Sequence, residues 1–463
     1  MSTGSYGNQN GIFANNWYNI RTKEDIYCVD DRTVNGIGRV SASMSPAKLI
    51  GSTFGDELRM HSSFHSKVIS ISNKDRTAVL MGGKLANGVF WMSDSLFVTS
   101  TFYMDVLPGW VSSFNASGLI NSYFGRQWKR ALPETAYASM DKDDAPYEGL
   151  GRTFPHTITG DDTSRISPSY YWALLSSPFG NEILATFAKE AMKAEKLGRR
   201  GFTDLLYVGF SSNDYVGHLF GPHSHEVLDM TVHTDRTLSD LFAFIDTEVG
   251  LTNCIIVLTS DHGVAPIPEY LLAQNENTDA GRLSQKTLLD YCASILRGAF
   301  GKLKEDESWI DRIISGNIYF NRQTVRAKKL TIDDVAKVLA DSLIYMHEVA
   351  TAFTRQEMIT LVPSSPTEER MKRSFHRLRG GDIFYVLKPY FIEGYSTTGT
   401  THGTPYDYDA HVPMIFVGKG IRRGTFASDA SPADIAPTLS ALLGVEFPAG
   451  REGRVLVEAI ELR

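Results

Sequence analysis

Short apolar runs alternate with longer amphipathic stretches along much of the chain. Four runs have the length and flanking turn residues of buried strands: 67–72, 205–210, 254–259 and 413–417. Residues 178–198 and 229–249 carry apolar positions at helical spacing, and Gly198 stands where the first helix would stop. This alternation predicts an α/β fold with a mostly parallel sheet sandwiched by helices.

Two long segments interrupt the alternation. Residues 107–176 are rich in glycine, proline and aromatic residues, and residues 267–395 hold helical patterns near 283–300 and 330–343. Segments of this length are usually functional insertions. We therefore predict a single domain over 1–463, with both segments as caps around one site. The opening residues 1–11 predict a loop, because they are dominated by Gly, Ser and Asn.

Composition narrows the function classes. The 463 residues are 42% hydrophobic, which is enough for a large core, and the net charge of −7 offers no basic field for nucleic acid. No run approaches the ~20 apolar residues of a membrane span, and residues 1–20 lack the features of a signal peptide. The three cysteines allow at most one disulfide. Redox compartment and oligomeric state stay open.

Carboxylates and imidazoles follow two of the predicted strands. Asp214 and His218 stand four residues apart after 205–210, and Asp261 and His262 follow 254–259, with Gly263 directly after them to allow a sharp turn. Further along, a third imidazole lies in the polar, glycine-flanked loop around residue 402. Polar residues at the carboxyl ends of parallel strands share one crevice. Carboxylate and imidazole together suit zinc, so these five residues indicate more than one metal ion.

A pair of cations follows the strand at 67–72. If the backbone stays extended, Lys74 and Arg76 point to the same side and can hold phosphate oxygens. The alternative for this pair is a solvated charged turn, and for any single Asp or His it is a surface or helix-capping residue. The clustering of the metal-binding residue types favours the functional interpretation.

Three motifs resemble the alkaline phosphatase superfamily, in its nucleotide pyrophosphatase/phosphodiesterase-like branch. They are Asp-Tyr-Val-Gly-His-Leu-Phe-Gly-Pro at 214–222, Ser-Asp-His-Gly at 260–263 and His-Gly-Thr-Pro-Tyr at 402–406. The similarity extends over essentially the whole chain, including 11–18 and 433–444. The Lys-x-Arg pair at 74–76 resembles that of bacterial alkaline phosphatases with a threonine nucleophile.

The resemblance implies a role for each candidate residue. One zinc would be held by Asp214, His218 and His402, and a second partly by Asp261 and His262. The remaining candidates would contact the phosphate oxygens: Asn15, Lys74 and Arg76. Because a monoester is dianionic, the double cation favours monoester over diester cleavage.

The resemblance also implies a departure at the start of the chain. Relatives carry the nucleophilic Thr or Ser, and one metal-binding Asp, at positions that would precede Met1. Ser2, Thr3 and Ser5 match the segment after the nucleophile. We therefore expect an N-terminally truncated sequence, with its first strand and nucleophile helix start missing. Two zinc ions are expected in the full-length form, and one complete site here. Reading the DNA upstream of Met1 tests this expectation.

We expect a metal-dependent phosphate-ester hydrolase, a phosphomonoesterase that acts through a covalent phospho-Thr or phospho-Ser intermediate in its full-length form. One alternative is a phosphodiesterase or nucleotide pyrophosphatase, and another is an inactive truncated remnant that binds metal. The partner is a small phosphate-ester substrate. The family resemblance implies a periplasmic or secreted enzyme, although this chain shows no signal peptide. Zinc versus manganese stays open.

Overall fold

The computed structural model describes residues 1–146, 148, 153–394 and 397–461. The strands in chain order are β1 (Asn16–Asn19), β2 (Glu24–Tyr27), β3 (Gly36–Ile37), β4 (Val68–Ser72), β5 (Gly88–Ser93), β6 (Leu96–Ser100), β7 (Gln127–Trp128), β8 (His156–Thr157), β9 (Leu205–Gly209), β10 (Ile255–Thr259), β11 (Gly281–Leu283), β12 (Ile310–Ile314), β13 (Asn317–Phe320), β14 (Val349–Thr354), β15 (Ile383–Leu387), β16 (Phe391–Glu393) and β17 (Met414–Gly418).

The α-helices in chain order are α1 (Gly7–Asn10), α2 (Phe54–His61), α3 (Asp75–Gly82), α4 (Gly109–Ala116), α5 (Pro168–Leu175), α6 (Pro178–Glu195), α7 (Ser212–Phe220), α8 (His225–Glu248), α9 (Pro268–Gln274), α10 (Gln285–Phe300), α11 (Arg322–Ala327), α12 (Ile332–Leu343), α13 (Arg355–Thr360), α14 (Pro366–Arg373), α15 (Asp407–Ala410) and α16 (Ile435–Leu443). Among the described residues, no helix is both long enough and apolar enough to cross a bilayer.

The chain folds as two units. Unit 1 comprises Met1–Ser5, Val29–Asp261 and Val412–Arg463, and unit 2 comprises Tyr6–Cys28 and His262–His411. The predicted cap at 107–176 belongs to unit 1, except that residues 147 and 149–152 lie outside the described part. The predicted cap at 267–395 belongs to unit 2, and its last residue likewise lies outside. That these segments are insertions in one domain stays a prediction.

Unit 1 is built on a mixed sheet, whose strand order within the described residues is β3-β6-β5-β4-β9. Strand β4 pairs in parallel with β5 and β9, whereas β6 pairs antiparallel with β5 and β3. β10 and β17 form an antiparallel pair. All four predicted strands are present, and the α/β class is confirmed. Parallel pairing in this sheet is confined to β5, β4 and β9.

Helix α6 covers this sheet with a continuous apolar face. Pro178 occupies its first position, where the missing N–H costs nothing, and Phe187 stacks on Phe97 with ring centroids 3.7 Å apart. Ile183, Phe187 and Ala191 are buried, as their spacing predicts. The helix ends at Glu195 and is capped by Lys196, whose φ of 53° is left-handed, slightly before the predicted stop at Gly198.

The strands of unit 1 differ in burial. Every residue of β4 is buried, whereas every residue of β9 and β10 is half-buried. Within the described residues, β9 pairs with β4 alone and β10 with β17 alone. Each of these two strands therefore has one edge that no described strand covers. The expected absence of a first strand stays a prediction.

Unit 2 contains an antiparallel sheet, β12-β13-β15-β14 in the described residues, with β11 and β16 paired in parallel. Its core joins this sheet to α10 and α12 through Leu288, Leu339 and Ile318. The start of unit 2 contradicts one prediction, because the supposed loop at 1–11 includes the single-turn helix α1. Gly11, with φ 79°, adopts the left-handed conformation that caps this turn.

Candidate active site

Asp214 and His218 lie on one face of α7, directly after β9. Asp214 is in the first turn of the helix, where the helix dipole favours a carboxylate, and His218 follows one turn later. The Oδ1 atom of Asp214 lies 3.5 Å from Nε2 of His218. Both side chains are partly exposed, at 16% and 33%. The predicted pairing of carboxylate and imidazole is thus realised by helical spacing.

Lys74 comes from the neighbouring strand end. The parallel register places Ser72 of β4 opposite Gly209 of β9, so the segments after both strands leave the sheet side by side. The amide of Lys74 donates to the Ser72 hydroxyl at 3.1 Å, and that hydroxyl lies 3.0 Å from the hydroxyl of Ser211. The Lys74 ammonium forms an ion pair with Asp214, and its side chain is only 9% exposed.

Arg76 does not follow the geometry predicted for it. Helix α3 begins at Asp75, so Lys74 is its N-cap and Arg76 lies in its first turn. The Arg76 amide donates to the Asp75 carboxylate at 2.5 Å, and Ala78 N donates to Lys74 O at 3.2 Å. The extended backbone on which the predicted geometry depended is therefore not present, because helix formation starts between the two cations.

Tyr215 was missed by sequence reasoning. The Lys74 ammonium lies 4.5 Å from the centroid of its ring, a cation–π contact. Burial raises the pKa of Tyr215; Arg76 opposes this shift, while Asp214 and Asp75 add to it. The signal was present in the motif, since an aromatic residue directly follows Asp214.

Two further candidate residues are Asp261, which lies in unit 1, and Asn15, which lies in unit 2. Asp261 follows β10 in unit 1 and is exposed, as expected for a residue at a strand end. Asn15 directly precedes β1 in unit 2, with an exposed side chain, and its carbonyl accepts a hydrogen bond from Cys28 N at 2.9 Å.

His262 and His402 meet in unit 2. Their rings stack with centroids 3.3 Å apart and an interplanar angle of 15°. Nδ1 of His262 lies 2.8 Å from the Gly263 carbonyl. A proton on Nδ1 would donate to this carbonyl and leave the Nε2 lone pair available as a ligand.

Backbone contacts bring these two imidazoles together. Ala265 N donates to Thr401 O at 3.2 Å, and the Thr400 hydroxyl donates to Ala265 O at 2.9 Å. After His402, the buried Asp409 carboxylate accepts from the amide and hydroxyl of Thr404 at 2.8 and 2.7 Å. The two hydrogen bonds of Ala265 hold the 262–265 and 400–404 segments against each other, and those of Asp409 fix Thr404.

Glycine is needed at position 263 for a different reason from the sharp turn that was predicted. Its φ is not positive, but a Cβ at this position would lie 2.2 Å from Tyr408 O. The Gly263 amide donates to Asp409 O at 2.7 Å. Glycine is required here because two backbone segments approach closely.

Comparison with known sequences gives a consistent result. The family described as type I phosphodiesterase / nucleotide pyrophosphatase matches residues 1–396. Alkaline phosphatase PhoV of Synechococcus elongatus is 35% identical, over 99% of this chain and 82% of the relative. Alkaline phosphatase PafA of Elizabethkingia meningoseptica is 32% identical, over 99% of this chain and 84% of the relative.

Solved structures of PafA match the fold of this chain, in agreement with the sequence comparison. The crystal structure of wild-type PafA superposes with a TM-score of 0.91 at 32% identity, covering 99% of this chain and 88% of PafA. A PafA variant with one threonine, one asparagine, one lysine and one arginine replaced gives a TM-score of 0.90 at 31% identity, with the same coverage of both chains. The fold expected from the sequence motifs is therefore confirmed.

Proposed function

The chain belongs to the type I phosphodiesterase / nucleotide pyrophosphatase family and is a phosphate-ester hydrolase of the alkaline phosphatase type, and we propose that Lys74, Asp214 and His218 form the centre of its catalytic site. The observation that carries this assignment is the largely buried ion pair of Lys74, 9% exposed, with Asp214, 16% exposed, one helical turn from His218. Such a group combines a cation for phosphate with two metal-ligating side chains.

We assign one metal to Asp214, His218 and His402, and a second partly to Asp261 and His262. The donor chemistry fits, because carboxylate oxygen and imidazole nitrogen are zinc ligands and the His262 contact to Gly263 O orients its ring for ligation. A bound divalent metal of this kind would stabilise charge on the phosphoryl group and activate the attacking oxygen. Zinc, and two ions in the full-length form, are our proposal.

Lys74 and Arg76 are proposed to neutralise the phosphoryl oxygens, together with Asn15. In PafA, the lysine and arginine replaced in the solved variant stand two positions apart, as they do here. Lys74 is restrained by its contacts to Asp214 and Tyr215, so its charge is positioned before substrate binds. A dianionic monoester gains more from two cations than a monoanionic diester does.

The hydroxyls near the start of the chain are engaged in other contacts. Ser2 Oγ donates to Leu80 O at 2.9 Å, and Ser5 Oγ lies 3.0 Å from Thr3 Oγ1. All three side chains are buried. We therefore assign the nucleophile of the proposed covalent intermediate to none of them.

A parallel assay of nitrophenyl phosphate and its methyl diester tests the proposal. Lys74→Ala should lower kcat/KM for the monoester by about 10² and for the diester by much less. Lys189→Ala, at a surface ion pair with Asp240, is the matched control. Equal losses on both esters would favour the phosphodiesterase alternative. Zinc binding without turnover of either ester would favour the inactive metal-binding alternative.

We also propose a periplasmic or secreted location, with a small phosphate ester as substrate, on the basis of family resemblance. Cell fractionation with activity measured in each fraction tests the location. Activity confined to the cytosolic fraction would contradict it.

A further inference from the structure

A network of uncharged amide and hydroxyl side chains adjoins the proposed catalytic group in unit 1. Its buried members are Ser72, Asn73, Asn181, Ser211 and Ser212, and its half-buried members are Asn213 and Thr234. Burying polar side chains costs free energy unless hydrogen bonds satisfy them. The partners of these side chains therefore indicate which parts of the site the network holds together.

Ser72 ties the end of β4 to the turn before α7. Its hydroxyl donates to Gly209 O at 3.0 Å and accepts from Lys74 N at 3.1 Å. The same hydroxyl lies 3.0 Å from Ser211 Oγ, directly before α7. The backbone that carries Lys74 is therefore fixed relative to the start of this helix.

Asn181, near the start of α6, contacts the first turn of α7. Its Oδ1 atom accepts from Ser212 N at 3.4 Å, and its Nδ2 atom donates to Asn213 Oδ1 at 2.8 Å. Nδ2 also donates to Thr234 Oγ1 at 3.2 Å, and that hydroxyl lies 3.1 Å from Asn213 Oδ1. The Asn181 side chain is only 1% exposed, and both ends of its amide are used on the two residues that precede Asp214.

The starts of α6 and α7 approach each other closely. A Cβ at Gly180 would lie 2.3 Å from Ser212 Oγ, so glycine permits this approach. Asn73 Nδ2 donates to Gly180 O and to Ser212 Oγ, both at 3.4 Å. The start of α6 thus contacts both segments that carry the ion pair of Lys74 with Asp214.

We propose that Asn181 is a positioning residue that holds the first turn of α7, and with it Asp214, at a fixed position relative to Lys74. This inference rests on the proposed catalytic role of Lys74 and Asp214. Because these two side chains attract each other, a substrate that draws Lys74 towards it requires a helix that does not follow. Catalytic groups are held in productive geometry by neighbours whose own conformations are fixed by packing and hydrogen bonds.

Asn181→Ala tests this role with nitrophenyl phosphate, at saturating Zn²⁺ and well below the Tm of the variant. We expect kcat to fall by about 10- to 100-fold, with KM changed by less than about threefold, because a small displacement of a catalytic group is costly. Asn115→Ala is the matched control, since Asn115 joins α4 to β6 through Phe97 N and Phe97 O at 2.8 and 2.9 Å. The control should lower Tm and leave kcat unchanged. A similar fall in kcat for both variants would overturn the proposal.

A double-mutant cycle with Lys74→Ala separates positioning from general stability. Once Lys74 is absent, its alignment with Asp214 no longer matters, so adding Asn181→Ala should cost less than about threefold in kcat. An undiminished loss in that background would overturn the inference. A full effect of Lys74→Ala with none of Asn181→Ala would refute the inference alone. Full monoester activity of Lys74→Ala would refute the proposed function and this inference with it.

Thr234→Val keeps the proposal testable if Asn181→Ala does not fold. It removes the hydroxyl that accepts from Asn181 and lies beside Asn213, and we expect kcat to fall about threefold. Thr231→Val on the same helix is the control, because its exposed hydroxyl donates to Val227 O at 2.8 Å, outside the network. Equal kcat values for these two variants would contradict the proposal.

Discussion

The two pairs of candidate metal ligands are assembled in different ways. Asp214 and His218 are four residues apart on one helix, and an ion pair with Lys74 adds a single contact from the next strand end. His262 and His402 are distant in the sequence and stack only because hydrogen bonds join the two loops that carry them. Helical periodicity fixes the first pair, whereas the second depends on main-chain contacts between loops.

Because of this difference, substitutions at the two pairs should affect activity and stability differently. Substitutions at the helical pair should remove charge and ligands without disturbing the fold. Substitutions around the imidazole pair should act through the backbone, so that stability and activity fall together. Four changes test this distinction.

The largest effect is expected for Asp214→Asn. It removes the partner of Lys74 and a proposed metal ligand, so kcat/KM for nitrophenyl phosphate should fall by about 10³ or more. Metal content, measured by mass spectrometry, should fall as well, with Tm nearly unchanged. Asp240→Asn, whose side chain is 72% exposed, is the control. A loss below tenfold with full metal content would show that Asp214 is not a ligand.

Gly263→Ala should damage unit 2 through its backbone. The added Cβ would meet Tyr408 O at 2.2 Å, and such overpacking costs about 1–3 kcal/mol. We expect a lower Tm together with lower activity. Gly298→Ala on α10, where a Cβ meets no atom within 4 Å, should instead stabilise by about 0.5–1 kcal/mol. Equal Tm values for the two variants would refute the close-approach explanation.

Thr404→Val should have a smaller effect of the same kind. It removes one of two hydrogen bonds from Thr404 to the buried Asp409 carboxylate, which costs about 1–2 kcal/mol. Chemical denaturation measures this loss, and activity should fall several-fold with it. Thr247→Val on α8 removes an exposed hydroxyl bonded to Ala243 O and should be nearly neutral. Activity lost at unchanged stability would assign Thr404 a direct catalytic role instead.

The smallest effect is expected for Tyr215→Leu. It removes the cation–π contact to Lys74, worth about 0.5–2 kcal/mol, so KM for the monoester should rise a few-fold. Tyr345→Leu, at a tyrosine 81% exposed, is the control. A large fall in kcat instead would mean that the ring contacts the reacting group.

The strands and the helical residue pair that depend on local periodicity were predicted from the sequence. The apolar runs located β4, β9, β10 and β17, and the four-residue spacing of Asp214 and His218 located a pair on one helix face. The resemblance to the alkaline phosphatase superfamily, based on three short motifs, is confirmed by relatives that match almost the whole chain.

Two features of the site region were not predicted from the sequence. The start of α3 at Asp75 replaced the extended geometry of Lys74 and Arg76, because the backbone hydrogen bond from Ala78 N to Lys74 O begins a helix there. Glycine is required at position 263 because the carbonyl oxygen of Tyr408 approaches it closely, and no local sequence pattern connects the two residues. The individual roles of the metal and phosphate ligands stay predictions.

The half-buried strands β9 and β10 have a practical consequence for work with the purified chain. An apolar strand with an edge that no described strand covers offers main-chain donors and acceptors to any extended segment it meets. We therefore expect concentrated solutions to self-associate through intermolecular strand pairing, and dilute samples to keep their activity longer.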